Sequence, residues 1–157
     1  MLDDLSGRAP KTIAARQAWL GVLARASLEE MRSNLADAPD LPDYTILRGP
    51  ETGMAMARGR IGGGGAAFNL GEMTITRCSI RDATGRVGHG YAAGRDDAKV
   101  ELIARLDAVL QNAATFAAFH AAIIVPLAKT RADRWAAIEA QAAQTNVNFF
   151  TLATMRT

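Results

Sequence analysis

Hydrophobic residues in the first forty positions recur at helical spacing. They lie three, four or seven residues apart: Ile13, Leu20, Leu23, Leu28, Met31 and Leu35. This spacing is typical of an amphipathic helix. Ser27 and Glu30 fit a capping box, in which the two side chains bond the exposed amides of a helix start. The sequence therefore predicts two helices, near 11–25 and 28–37, and Pro39 and Pro42 end this helical region.

The pattern changes between Asp43 and Gly94, where short apolar runs alternate with glycine. The runs at 44–47, 53–60, 72–81 and 86–93 are predicted to be strands of an antiparallel meander. Asp82 and Gly85 favour a turn between the last two strands, since aspartate can bond its own backbone and glycine accepts a left-handed conformation. Alternation along strand 72–81 places one set of side chains on a single face: Thr74, Thr76, Cys78 and Ile80.

Helical spacing returns after residue 95. Asp96 or Asp97 is predicted to cap a helix whose apolar stripe is Val100, Ile103, Leu106 and Leu110. A further helix at about 114–125 is ended by Pro126, and a last helix runs from Thr130 to about 144. The β-branched and aromatic segment 147–154 is predicted to be a final strand. The fold class is therefore α+β: N-terminal helices, a central antiparallel meander, C-terminal helices and a final β-strand, in a single domain with residues 1–10 flexible.

Composition fits a folded protein and limits its chemistry. The chain has 157 residues, of which 49% are apolar and 22% charged. A chain of this size and composition can bury a hydrophobic core without disulfides or bound metal ions. The richest apolar stretch, 121–128, is short for a membrane span and is interrupted by Pro126. The acidic N-terminus is unlike a signal peptide, so a cytoplasmic location is expected. One cysteine and two histidines exclude an internal disulfide and argue against a metal site.

The basic residues are concentrated in the middle of the chain. From Arg48 to Arg95 there are seven arginines, no lysine and three acids, a net charge of +4. Arginine is preferred where carboxylates or phosphates are gripped bidentately, whereas ordinary surface salt bridges would explain the same count. The aromatic residues are not interleaved with basic ones, so nucleic acid is not the expected partner.

The glycine run Gly62 to Gly65, next to Arg60, allows two interpretations. Consecutive glycines let backbone amides approach an anion, as in phosphate-binding loops. However, no Gly-Lys-Ser/Thr follows, and the run precedes a strand-like segment and not a helix. A flexible hairpin connection is the favoured interpretation.

The remaining reactive side chains favour structural roles. Cys78 alternates with Arg77 along a strand, so the arginine lies on the opposite face and the thiol is expected to be a small buried hydrophobe. Glycines flank His89, so something could approach its backbone closely, while His120 adjoins Phe119 on a helix. Neither histidine has a carboxylate at a spacing that would orient it. The residues themselves thus identify no catalytic group, no cofactor-binding residue and no metal ligand.

A set of motifs, in order along the chain, resembles a known family. The pieces are Arg16-x-x-Trp19, Arg48-x-x-Glu51-Thr52-Gly53, Arg60-x-Gly62-Gly63, Phe68-Asn69-Leu70-Gly71-Glu72-Met73-Thr74, Thr76-Arg77-Cys78, Gly90-Tyr91, Gly94-Arg95-Asp96, Pro126-Leu127 and Val147-Asn148-Phe149-Phe150-Thr151. Together they resemble PhnG, the G subunit of the bacterial carbon–phosphorus lyase core complex, over about residues 12–152. Gly64 and Ala67 depart from the family's usual threonine and proline.

The resemblance implies an accessory subunit without its own catalytic residues. In this family the complex makes α-D-ribose 1-methylphosphonate 5-triphosphate from ATP and methylphosphonate and releases adenine. The implied partners are a PhnI-type subunit directly, PhnH- and PhnJ-type subunits, and a PhnL-type ATPase-like subunit. An iron–sulfur cluster is expected only in a partner, with no cofactor in this chain. Five residues of the matched motifs are candidates for contacting phosphate or a partner: Arg60, Gly62, Gly63, Arg77 and Arg95. The alternative is a free-standing cytosolic domain that binds a phosphorylated metabolite or nucleic acid.

Overall fold

Helices flank a three-stranded antiparallel sheet in the structure, a computed structural model that describes residues 13–60 and 65–144. The elements are α1 (Ile13–Arg25), α2 (Leu28–Leu35), β1 (Tyr44–Gly59), β2 (Phe68–Asp82), β3 (Val87–Ala93), α3 (Asp97–Leu110), α4 (Ala113–Phe119), a π-helical segment (His120–Ile124) and α5 (Val125–Gln144). The predicted α+β class is confirmed. The predicted final strand 147–154 and the N-terminal residues 1–10 lie outside the described residues.

Local signals fix the start of α2 and the turn before β3. The Ser27 side chain accepts a hydrogen bond from the Glu30 amide at 3.1 Å, and the Glu30 carboxylate accepts one from the Ser27 amide at 2.8 Å. This confirms the predicted capping box. In the turn, the Asp82 carboxylate accepts from the Thr84 and Arg86 amides at 2.9 Å each, and Gly85 has φ +86°. Each of these hydrogen bonds joins residues only a few positions apart. The local sequence therefore specifies them independently of the rest of the fold.

The strands are longer than the predicted runs. The runs at 44–47 and 53–60 are two parts of the single strand β1, which keeps pairing with β2 through irregularities near Arg48 and between Ala57 and Arg58. β3 pairs with β2 only from Ile75 to Arg81. Beyond Ile75 the sheet consists of β1 and β2 alone, and we call this two-stranded extension, residues 54–60 and 68–74, the β-arm.

The core lies between one face of the sheet and α3. The predicted stripe on α3 is fully buried, and so are Thr76, Cys78 and Ile80 on β2. A Cβ at Gly88 or Gly90 would lie 1.9 Å from a backbone oxygen of α3, that of Ala104 or Val100. The helix backbone therefore packs directly on β3, and only glycine fits at these two positions. The close approach predicted around His89 is that of α3.

The C-terminal helices are continuous, and here the prediction was wrong. Pro126 does not end a helix, and Thr130 does not begin one, because α4, the π segment and α5 form one helix from Ala113 to Gln144. Proline lacks an N–H and crowds the carbonyl four residues before it. The π segment widens the turn just before Pro126, and the Val125 amide bonds the His120 carbonyl five residues back. The wider turn lets the helix pass the proline.

Candidate functional site

The face of the sheet opposite α3, which we call the outer face, carries an arginine–glutamate cluster. Glu51 accepts hydrogen bonds from Arg48 and from Arg77, the latter at 3.0 Å. These bonds, chiefly the one from Arg48, hold the pKa of Glu51 below its ordinary value. All three side chains are about half exposed. The cluster has one positive charge more than Glu51 neutralises, so it presents a basic surface to solvent.

A histidine–serine pair lies on the same face. His89 Nδ1 is 2.8 Å from Ser79 Oγ, across the β2–β3 pairing, and the exposed Tyr91 is cross-strand to Arg77. A histidine that activates a serine needs a third group to orient its ring. Within residues 13–60 and 65–144, no carboxylate bonds the His89 ring. The pair therefore lacks the third member of a nucleophilic triad.

The candidate residues from the matched motifs are spread along the sheet. Arg60 is exposed at the end of the β-arm, and Arg95 is exposed in the turn after β3. Neither side chain forms an ion pair within the described part of the chain. Arg60 adjoins the pair Gly59–Phe68, and Phe68 is nine residues along β2 from Arg77. Nine residues of strand span about 30 Å, so Arg60 and Arg77 cannot contact the same phosphate. Gly62 and Gly63 lie outside the described residues.

The β-arm exposes apolar side chains that no other described element covers. Its exposed apolar residues are Met54, Met56, Phe68, Leu70 and Met73, with Met54 68% exposed. The strand register places Met54 and Met56 on one face of the arm and Met73 on the other. Isolated exposed apolar residues are ordinary, but five on one two-stranded extension are typical of a binding element. Within residues 13–60 and 65–144 the outer edge of β1 is unpaired, which adds open backbone groups to this extension.

The C-terminal half of α5 also exposes large apolar side chains. Every residue from Lys129 to Gln144 is exposed, including Trp135 at 63% and Ile138 at 56%. The helix Ala113–Gln144 is the one helix in the described ranges that is long and apolar enough to cross a membrane. Its first half, however, packs in the core through Phe116, Phe119 and Ile123. The core helix of a soluble protein meets the same test, so length and composition are weak evidence for a membrane span.

Asp107 of α3 is a buried centre of hydrogen bonds that the sequence analysis missed. Its carboxylate is fully buried and accepts from Arg16 at 2.5 Å, from the Trp19 indole at 3.0 Å and from the His89 amide at 2.9 Å. Gln111 adds a weaker contact at 3.3 Å. The Arg16-x-x-Trp19 spacing, one helical turn, was the available signal. Because these bonds join α1, β3 and α3, Asp107 is a structural residue and not an open catalytic acid.

The remaining reactive groups are also structural. Cys78 is buried, its thiol donates to the Arg48 carbonyl at 3.4 Å, and burial raises its pKa. His120 packs against the Phe116 ring at 5.1 Å, and burial lowers its pKa. Among the described residues no three histidine, cysteine, aspartate or glutamate side chains lie close enough to hold a metal ion.

These features define a class of protein: an α+β domain with a packed core, a basic outer sheet face and two extensions with exposed apolar side chains. Such a protein is built to pack against other chains. The family model of the phosphonate metabolism protein PhnG matches residues 14–155. The chain belongs to the PhnG family.

A curated relative agrees with this assignment. The chain is 41% identical over 152 residues to the α-D-ribose 1-methylphosphonate 5-triphosphate synthase subunit PhnG of Rhizobium meliloti (strain 1021). The similarity covers 97% of each protein. The family resemblance carried by the sequence motifs is thereby confirmed.

Proposed function

We propose that this chain is a non-catalytic, accessory subunit of a synthase that makes α-D-ribose 1-methylphosphonate 5-triphosphate from ATP and methylphosphonate and releases adenine. Family membership and the name of the 41% identical relative support the synthase assignment. The observation that carries the accessory role is the uncovered β-arm, whose apolar residues include Phe68 and Leu70. The complex acts in the cytoplasm, where ATP is available.

The partners follow from the same proposal. A PhnI-type subunit covers the β-arm, and PhnH-, PhnJ- and PhnL-type subunits complete the machinery. ATP and the phosphonate are substrates of the complex, and an iron–sulfur cluster belongs to a partner. This chain supplies no cofactor-binding residue.

The outer face has a defined part in this assembly. The Arg48–Glu51–Arg77 cluster carries a surplus positive charge at a half-exposed position. Arg60 and Arg95 are exposed and have no ion-pair partner in the described part of the chain. Such arginines pair with partner carboxylates or strengthen the field around a triphosphate, and guanidinium groups suit both tasks.

Two measurements on the purified protein test the proposal. Co-expression with the PhnI-type subunit is expected to give one species in size-exclusion chromatography at micromolar concentration. The interface is expected to exceed the ~1,000 Å² that separates biological contacts from crystal packing. Separate elution of the two proteins would contradict the subunit role.

The second measurement follows adenine release from ATP and methylphosphonate. The chain alone is expected to release none, while the complex that contains it is active. Activity that remains with the chain through further purification, and scales with its concentration, would overturn the non-catalytic role.

A further inference from the structure

A small pocket lies where α1, α2 and α5 meet. Its volume is about 50 Å³, and its lining combines apolar and charged side chains: Val22, Arg25, Ala26, Glu30, Leu127, Thr130, Arg131 and Arg134. A water molecule occupies about 30 Å³ of liquid. The pocket therefore has room for the head of one small polar group and is too small for a nucleotide.

The pocket is short of negative charge. Arg134 donates to Glu30, which the Ser27 amide also holds at 2.8 Å. Arg25 donates to the Gly21 carbonyl of its own helix at 2.7 Å. Within residues 13–60 and 65–144, Arg131 has neither a hydrogen bond nor an ion pair. Three arginines face one glutamate, which leaves a surplus of two positive charges.

An apolar surface continues from the pocket along α5. Arg131, Trp135 and Ile138 are spaced by four and three residues, so they lie on one face of the helix. Trp135 is 63% and Ile138 56% exposed. One face of a single helix thus offers an uncompensated guanidinium followed by two large apolar side chains.

We infer that this α5 face docks an acidic amphipathic helix of a partner subunit, with one carboxylate in the pocket. The inference rests on the proposed function and assigns it a second contact surface, separate from the β-arm. Charge complementarity identifies the partner's chemistry, because the surplus positive charge attracts an anion and a carboxylate is the anion that a protein segment carries. Apolar residues one turn further along that partner cover Trp135 and Ile138. A free phosphate would neutralise the pocket but leave both apolar side chains in water. A protein segment therefore covers more of this surface than phosphate does.

The test uses the full-length chain and its co-expressed partner subunits. Arg131→Glu is expected to weaken assembly by at least about tenfold in dissociation constant, since it adds a second carboxylate beside Glu30 where the partner's carboxylate binds. Trp135→Ala is expected to weaken assembly to a similar degree. Arg32→Glu is the matched control, because Arg32 is exposed on α2 and does not line the pocket. This variant is expected to change the constant by less than about twofold.

A photo-crosslinking amino acid at position 135 then locates the contact. It is expected to capture an acidic helical segment of a partner, and replacing that segment's carboxylate by lysine is expected to restore assembly of Arg131→Glu. Assembly of Arg131→Glu with wild-type affinity would overturn this inference alone, whereas failure of the wild-type chain to assemble would overturn the proposed function as well. Inorganic phosphate that binds the chain through Arg131, with partner assembly unaffected, would also overturn the inference. Melting curves confirm that each variant is folded.

Discussion

At the scale of single residues, the most consequential side chain is Asp107. Its buried carboxylate joins three elements that are distant in sequence, through Arg16, Trp19 and the His89 amide. A charge inside a protein is tolerated when its hydrogen-bonding capacity is filled, and it is costly to remove when its donors stay behind. The Arg16 and Trp19 motif is therefore explained by one buried acceptor and not by a ligand site.

Asp107→Ala is expected to lower the free energy of unfolding by about 3–5 kcal/mol, because it leaves the Trp19 indole and the His89 amide without their acceptor and breaks the ion pair with Arg16. Urea denaturation monitored by the fluorescence of Trp19 and Trp135 measures this. Asp133→Ala is the control: its exposed ion pair with Lys129 is expected to contribute less than about 0.5 kcal/mol. Equal losses in the two variants would show that Asp107 is not a structural centre.

His120 gives the fold a dependence on pH. Burial lowers the pKa of its imidazole in the folded state. The unfolded chain therefore binds a proton first as pH falls, and stability present above the ordinary histidine pKa is lost below it. The wild-type free energy of unfolding is expected to decline from about pH 7.5 to about pH 5 more steeply than that of His120→Gln. If the free energy of unfolding declines with the same slope in both proteins, His120 is not the cause of the pH dependence.

At the scale of elements, the β-arm and the continuous C-terminal helix behave differently from the core. Within the described residues the β-arm has no third strand, and its apolar residues, such as Met54 and Phe68, are exposed. The C-terminal helix is anchored in the core only through its first half, which includes Phe116 and Ile123. Both elements can therefore change without loss of the core, and both are available to partners.

Shortening the β-arm tests this separation. Replacing residues 54–74 by an Asn-Gly turn, so that the paired residues Gly53 and Ile75 flank the turn, is expected to change the melting temperature by no more than about 4 °C. Co-purification with the PhnI-type subunit is expected to be abolished, because the apolar surface is gone. Differential scanning calorimetry and affinity pull-down measure the two effects. A shortened chain that still co-purifies at the wild-type level would contradict the role of the β-arm.

At the scale of the whole molecule, the positive charge is concentrated on the sheet. The arginine-rich segment 48–95 forms nearly the entire sheet, while most of the described acids and bases outside it lie on the helices. Arg60 and Arg77 lie about 30 Å apart along this surface, so these two residues do not form one anion site.

Alanine at Arg60, Arg77 or Arg95 is expected to weaken assembly or synthase activity by about tenfold to a hundredfold, the effect of losing charge-assisted bonds of about 1.5–3 kcal/mol. Lysine is expected to restore only part of the loss, since it lacks the bidentate fork. Assays in the reconstituted complex, with melting curves of each variant, measure these effects. Wild-type behaviour in all three alanine variants would reduce these arginines to solvated surface charges, whose loss costs under about 0.5 kcal/mol.

The sequence by itself determined what depends on nearby residues. The Ser27 capping box, the Asp82 turn, the buried stripe of α3 and the alternation through Cys78 all appear as predicted. Each depends on bonds or periodicities within about one element, where propensity and pattern act directly. The family motifs belong to the same category, since they are read in chain order.

Only the tertiary structure decided the features that join distant residues. Passage of the helix through Pro126 depends on a core that holds Phe119 and Leu127 on either side of the π segment. The acceptor role of Asp107 depends on partners 88 and 91 positions away. The β-arm exists because β3 is shorter than β2, the strand with which it pairs. Local propensity cannot specify such contacts, because their free energy arises only when the chain has closed loops of many residues and packed the elements together.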